Sequence, residues 1–284
     1  MSKKTEINKV AETVMSGLDE FDSLLDIQQV AEPDKTAFLF LSDEGKAGKT
    51  TGAIAFTTFL RNKGYQVDAW QCDPDHMKLY YRFGKRDQTG TLIRKEDQVP
   101  SDCGFLNIRT ESYKLVNSLK SPAKYKIYDL PAASIDELPE IFDSADSFLQ
   151  VFANNATKIV FCVPFINDGD SLLAVQKLRD LFSGVNSHAV IEFVLLVNHS
   201  LMVEKNKTLA ALKSPAITDI KEKVHVAEIK VKFTKGFESV IDYTEDGPNF
   251  DWFKILASNQ LEETNKHTMR EFLKDYRNIV SMFY

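Results

Sequence analysis

"LFLSDEGKAGKTTGAIAF", residues 39–56, runs from an apolar stretch through a loop of small and charged residues into a segment with helical spacing. That change of period brackets a turn at a helix N-terminus, where backbone N–H groups point outward and favour an anion. Gly45, Ala47 and Gly48 are small enough to let the backbone approach a phosphate closely. Lys49 then has the reach for β- and γ-phosphates, and the hydroxyl of Thr50 can ligate Mg²⁺. Two acids disturb the pattern. Asp43 stands where such a loop ordinarily begins with glycine, and Glu44 follows it.

The flanking sequence extends the unit. Ala37–Ser42 reads as a buried strand, Lys49 to Asn62 as a helix closed by Gly64, and Gln66–Cys72 as a second strand. Strand, loop, helix and strand in that order imply parallel pairing through a right-handed crossover. Further strands are expected at Lys126–Leu130, Thr157–Pro164, Val190–Val197 and, half exposed, Val224–Phe233, with a helix at Ser171–Phe182. Strands alternating with helices predict an α/β fold. Its core is a single doubly wound, mostly parallel sheet with helices on both faces. Val10, Val14, Leu18, Phe21 and Leu25 sit at helical spacing before Pro33. The expected organisation is therefore a helical N-terminal extension over 1–35 and one nucleotide-binding domain over 36–284.

Composition sets bounds. The chain has 284 residues, 43% of them hydrophobic, which is enough for a sizeable core. A net charge of −6 gives no global argument for coating nucleic acid. Cys72, Cys103 and Cys162 have no paired spacing and read as buried free thiols of a reducing compartment. No run of 18 apolar residues and no apolar signal core occurs, so a cytoplasmic protein is expected. The five histidines show no metal-ligand spacing.

Two acidic residues complete a nucleotide site on paper. Mg²⁺ beside a phosphate loop takes a second anchor from a carboxylate ending a neighbouring buried strand, and Asp129 in "KIYDLPAAS" supplies it. Asp73 in "VDAWQCDPDHMK" ends the strand next along. At the carboxyl edge of a parallel sheet these strand ends meet in one crevice.

Four motifs in order resemble the ParA/MinD family of P-loop ATPases. The loop SDEGKAGKTT is similar to that family's SGKGGVGKTT. Asp73-Pro74 follows the second strand, Asp129-Leu130-Pro131-Ala132 follows a later one, and Leu195-Leu196-Val197-Asn198 ends a late buried strand. The correspondence runs from about residue 36 to at least residue 200, and the chain resembles the conjugative-plasmid members of the TraL and StbB type within that family. The resemblance implies an ATP- and Mg²⁺-binding protein whose phosphates lie on Gly45, Lys46, Ala47, Gly48, Lys49, Thr50 and Thr51. It also implies that Thr50 and Asp129 hold the metal, Asp73 orients the attacking water and Asn198 reads the adenine edge. As a family matter, it implies a homodimer formed on ATP, slow hydrolysis, and a cargo or adaptor protein such as a plasmid or conjugation complex. Asp73 also reads as a turn residue before proline, and Asn198 as a strand-end cap.

The family's signature lysine is Glu44 here, and Lys46 replaces a glycine two positions on. Asp43 and Glu44 thus offset Lys46 and Lys49. An opposite charge at about 4 Å is worth roughly 4 kcal/mol at an effective dielectric near 20. Acids turned toward the phosphates would weaken binding badly, whereas acids turned away would cost little. A nucleotide-binding adaptor without hydrolysis is the first alternative. A RecA/RadA-like ATPase is the second, suggested by "MSGLDEFDSLLD" at residues 15–26.

Other surfaces carry two meanings each. Residues 204–235 carry eight lysines against four acids, which suits non-specific DNA or a solvated face over an edge strand. Lys78, Arg82, Lys85 and Arg86 alternate with Tyr80, Tyr81 and Phe83, which suits either a partner or inward packing. The tail "HTMREFLKDYRNIVSMFY" is amphipathic with balanced charge, which predicts a packed terminal helix rather than a membrane anchor.

Overall fold

The computed structural model describes residues 32–284 other than 44, 46, 168, 183–184, 186–187, 203, 234–236, 238–240, 242–250 and 258–260. The expected N-terminal helix, with its apolar spacing, lies outside the described residues.

Among the described residues seven strands form one sheet: β1 (Lys35–Phe40), β2 (Val67–Gln71), β3 (Gly104–Phe105), β4 (Tyr125–Asp129), β5 (Thr157–Pro164), β6 (Ile191–Asn198) and β7 (Lys223–Ile229). Their spatial order is β3-β2-β4-β1-β5-β6-β7, and every pairing in it is parallel. The principal helices are α1 (Lys49–Asn62), α2 (Lys78–Phe83), α3 (Ser112–Ser118), α4 (Ala145–Ala153), α5 (Asp170–Phe182), α6 (Lys205–Ala211) and α7 (Glu263–Val280). The expected α/β, doubly wound fold is the observed one.

β1 shows why the sheet is covered on both sides. Phe38 and Phe40 enter one core with Phe56 and Leu60 of α1 and Phe272 and Tyr276 of α7. Ala37, Leu39 and Leu41 enter the opposite core with Phe148 and Phe152 of α4 and Phe182 of α5. A strand buried on both faces needs a continuous apolar run rather than alternation, which is how KTAFLF reads.

α1 is placed by its two ends and its one glycine. Gly48 sits in the left-handed region at φ 97°, which reverses the chain into the helix. Gly64, at φ 82°, closes the other end: its N–H donates to Arg61 O and that of Tyr65 to Leu60 O. Within the helix, a Cβ on Gly52 would stand 2.8 Å from Cε1 of Phe40, so the helix rides directly on β1.

α7 turns Met269, Phe272, Leu273, Tyr276, Ile279 and Val280 inward. The chain beyond it also docks, with Phe283 edge-on to Phe38 and its carbonyl accepting from Tyr125 Oη at 2.7 Å. Most of the tail's apolar residues thus face the protein's own core, while Met282 and Tyr284 stay exposed. No helix among the described residues is long and apolar enough to cross a membrane.

Candidate nucleotide site

The register of the sheet brings the predicted residues together. Asp129, the last residue of β4, has Phe40 of β1 and Gln71 of β2 as its lateral partners. Ser42 and Asp73 each lie two residues beyond those partners. Beyond the strands the ladder continues: Leu130 N donates to Phe40 O and Cys72 N to Asp129 O. The loop and the two acidic strand ends therefore share the carboxyl edge of the sheet.

Lys49 occupies the first position of α1 and is buried, with its Nζ 3.1 Å from Ser42 Oγ. Thr50, beside it, donates its hydroxyl to Asp129 Oδ2 at 2.8 Å. The other oxygen of Asp129 is buried and accepts no hydrogen bond among the described residues. Burial lifts the carboxyl of Asp129 to about 7, opposed by the Thr50 hydrogen bond, the charge of Lys49 and the nearby Gln71 amide, and reinforced by the charge of Asp73. A carboxylate oxygen left unbonded beside a hydroxyl is a costly arrangement unless something fills it. A hard divalent cation, which takes oxygen ligands, suits that pair of donors.

The acids of the loop were the open question. Asp43 pairs with Lys177 of α5 at 3.0 Å, so its charge is met by a cation from a neighbouring helix. Lys177 also binds Asp136 at 2.6 Å. Glu44 and Lys46, and with them the predicted exchange of charge between those two positions, lie outside the described residues. Gly45 has open space where a Cβ would stand, and Ala47 is buried. Thr51, in the first turn of α1, is half-buried.

Asp73 and Asn198 are both engaged locally. Oδ1 of Asp73 accepts from the N–H groups of Asp75 and His76 at 2.9 and 3.1 Å, and its Oδ2 lies 3.5 Å from His76 Nδ1. Asn198 ends β6, where its Oδ1 accepts from Ser200 N at 3.0 Å. The turn that follows Asn198 reaches the loop: Leu201 Cδ1 lies 3.6 Å from where a Cβ of Gly48 would be.

Sequence reading passed over four contributors. Ser42 receives Lys49, and its carbonyl accepts from Ala133 N at 3.1 Å. That contact carries the segment after β4 across the start of the loop, with Ala133 itself in the left-handed region at φ 59°. Lys177 and Asp136 come from remote segments, so no local pattern marks them. Arg109 binds Glu137 at 2.7 Å and tethers the same segment from the other side.

The remaining surfaces are partly taken up by packing and ion pairs. Arg82 is buried over the ring of Trp252, which lowers its guanidinium to about 10 through desolvation. Tyr80 is buried with its hydroxyl on Ile93 O, and Phe83 lies under Arg61. In the lysine-rich stretch, Lys207, Lys223 and Lys230 each pair with a glutamate, and β7 is the edge strand of the sheet. Lys235 lies outside the described residues. Cys72, Cys103 and Cys162 are buried free thiols, as expected.

No protein-family model matches the chain, and no curated protein matches its sequence. Solved structures do. The chain is similar to the MinD cell division protein of Aquifex aeolicus at 13% identity and a TM-score of 0.45, over 87% of this chain and 97% of that one. It is similar to a Cyanothece McdA variant in complex with ATP at 13% identity and a TM-score of 0.47, over 85% and 97%. A plasmid partition protein of Borrelia burgdorferi B31 bound to AMPPNP follows at 14% identity and a TM-score of 0.43, over 89% and 98%.

Proposed function

We propose that the chain is a ParA/MinD-like switch ATPase that binds Mg-ATP, hydrolyses it slowly, dimerises on the nucleotide and positions or partitions a cargo such as plasmid DNA or a conjugation complex. One observation carries the reading. A buried lysine at the first position of a helix stands beside a threonine hydroxyl bonded to Asp129, whose second oxygen accepts no hydrogen bond among the described residues. The four motifs in order, loop, Asp73-Pro74, Asp129-x-Pro-Ala and Asn198, support it from the sequence.

In this reading Mg-ATP supplies the electrophilic γ-phosphoryl group and a divalent cation that draws off its charge. The chain's own residues do the rest. Lys49 moves its ammonium from Ser42 to the phosphates. Thr50 and Asp129 hold the cation, and the backbone of residues 45–51, Thr51 included, cradles the anion. Asp73 orients a water once its carboxylate leaves the turn at Asp75 and His76. Asn198 offers the adenine its Nδ2, which makes no hydrogen bond among the described residues.

Titration with ATP and with ADP tests the reading, with wild type beside Lys49→Ala. Binding by wild type, its loss in the variant, and an ATP-dependent shift toward dimer on sizing are the expected results. Equal binding by both proteins would sink it. Filaments on single-stranded DNA would point to the RecA-like alternative instead.

A second reading is favoured by one contact. The hold of Asp75 and His76 on the Asp73 carboxylate suits an adaptor that binds nucleotide and switches partners without hydrolysis. Absence of phosphate release alongside tight ATP binding selects it.

A further inference from the structure

Lys177 has no place in the nucleotide-binding pattern, yet among the described residues it is the cation paired with the loop's irregular acid. Its Nζ lies 3.0 Å from Asp43 Oδ2 and 2.6 Å from Asp136 Oδ2. The two acids differ in what they need from it. The side chain of Asp136 is 63% exposed and can be solvated by water, whereas that of Asp43 is 15% exposed. Loss of the lysine would therefore leave Asp43 as a poorly solvated negative charge.

Position makes that charge consequential. Asp43 immediately follows Ser42, whose hydroxyl receives Lys49 Nζ at 3.1 Å. An uncompensated carboxylate there would act on the loop in two ways. It would repel an incoming polyphosphate, and it would compete for the ammonium of Lys49. Both effects weaken anion binding with no change in the residues that touch the anion. Lys177 sits mid-helix on α5, whose buried residues Ala174, Val175 and Leu178 fix it against the sheet, so the ammonium is delivered from a rigid element.

We propose that Lys177 is a positioning residue for anion binding: it neutralises Asp43, turns it toward α5 and so lets a loop that begins with an acid accept a nucleoside polyphosphate. The inference rests on the nucleotide-binding reading above and deepens it. It explains how a loop can tolerate aspartate where glycine is usual: the compensating charge comes from a different helix.

The test is a rescue experiment. Mg-ATP affinity is measured by calorimetry for wild type, Lys49→Ala, Lys177→Ala, Asp43→Asn and the Lys177→Ala/Asp43→Asn double variant, at low and at moderate salt. Lys177→Ala is expected to bind about tenfold more weakly, the scale of one unscreened charge near the phosphates. The double variant is expected to recover to within about threefold of wild type, because the charge that Lys177 answers is gone. A merely structural role for Lys177 would not be rescued by removing Asp43. Asp43→Asn alone is expected to bind at least as tightly as wild type, which also decides the matter should Lys177→Ala fail to fold.

Lys177→Ala binding like wild type, no recovery in the double variant, or weaker binding by Asp43→Asn would each overturn the inference. The parent reading fails separately, by wild type binding no better than Lys49→Ala.

Discussion

The hydroxyl of Thr50 and the carboxylate of Asp129 meet at 2.8 Å, joining the first turn of α1 to the end of β4. Neither residue is near the other in the chain, so the contact exists only because the sheet places β4 directly beside β1. It also holds the buried carboxylate by one oxygen, while the other accepts no hydrogen bond among the described residues. Thr50→Ala removes the hydroxyl's hydrogen bond to Oδ2, and a buried acceptor left unsatisfied costs roughly 1–3 kcal/mol. The expected outcome is a chemical-denaturation midpoint lowered accordingly, together with ATP binding that no longer responds to Mg²⁺. Retained Mg²⁺ dependence would remove Thr50 from the metal site.

The same carboxylate predicts a pH dependence. Burial lifts Asp129 from its ordinary value to about 7, so below that pH the folded protein holds a proton where a cation is expected. Metal must displace that proton. Mg²⁺-dependent nucleotide affinity should therefore rise with pH up to about 7 and level off above it. Stability without ligand should run the opposite way. The folded state binds the proton more tightly than the unfolded chain, so this group's contribution falls as pH rises from the ordinary carboxyl range to about 7. Denaturation from pH 5 to 8, with Asp129→Asn as the control lacking this slope, checks the sign.

Gly52 offers a purely steric test. A Cβ there would stand 2.8 Å from Phe40 Cε1 and 3.1 Å from Leu196 Cδ1, and the Phe40 ring is itself packed edge-on to Phe56. Gly52→Ala is expected to cost about 1–3 kcal/mol by overpacking despite alanine's better helix propensity. Because α1 carries Lys49 and Thr50, ATP affinity should fall with it. A variant as stable as wild type would mean that α1 can shift off β1 freely.

Legibility in the sequence followed the range of the interactions. α1 and β5 appear at their predicted ends, since a helix stopped by Gly64 and a strand of continuous apolar residues are local signals. β3, at two residues, is too short to carry a period, and its Gly104 packs under the ring of Trp70. α2 could be read as a basic and aromatic surface because its sequence alternates. Trp252, far along the chain, is what draws Arg82 inside. In the site, the Lys49-Thr50 loop and the strand-ending Asp129 were each readable as local patterns, and the sheet brings them together. Lys177 and Asp136 were not, because an ion pair between separate elements leaves no trace in either segment.

Asp73 separates two roles that one substitution would confuse. Its Oδ1 holds the turn through Asp75 N and His76 N, while the proposed function needs its negative charge. Asp73→Asn keeps an acceptor at Oδ1 and removes the charge, whereas Asp73→Ala removes both. The asparagine variant should therefore keep its stability to within about 0.5 kcal/mol, and the alanine variant should lose about 1 kcal/mol with the two turn bonds. Both should still bind ATP, since Lys49, Thr50 and Asp129 are untouched. If Asp73 orients the attacking water, phosphate release falls at least tenfold in both, and the ATP-bound dimer accumulates on sizing. Release that survives in the asparagine variant would confine Asp73 to the turn. No release from wild type, with ATP still bound, would make the adaptor reading the right one.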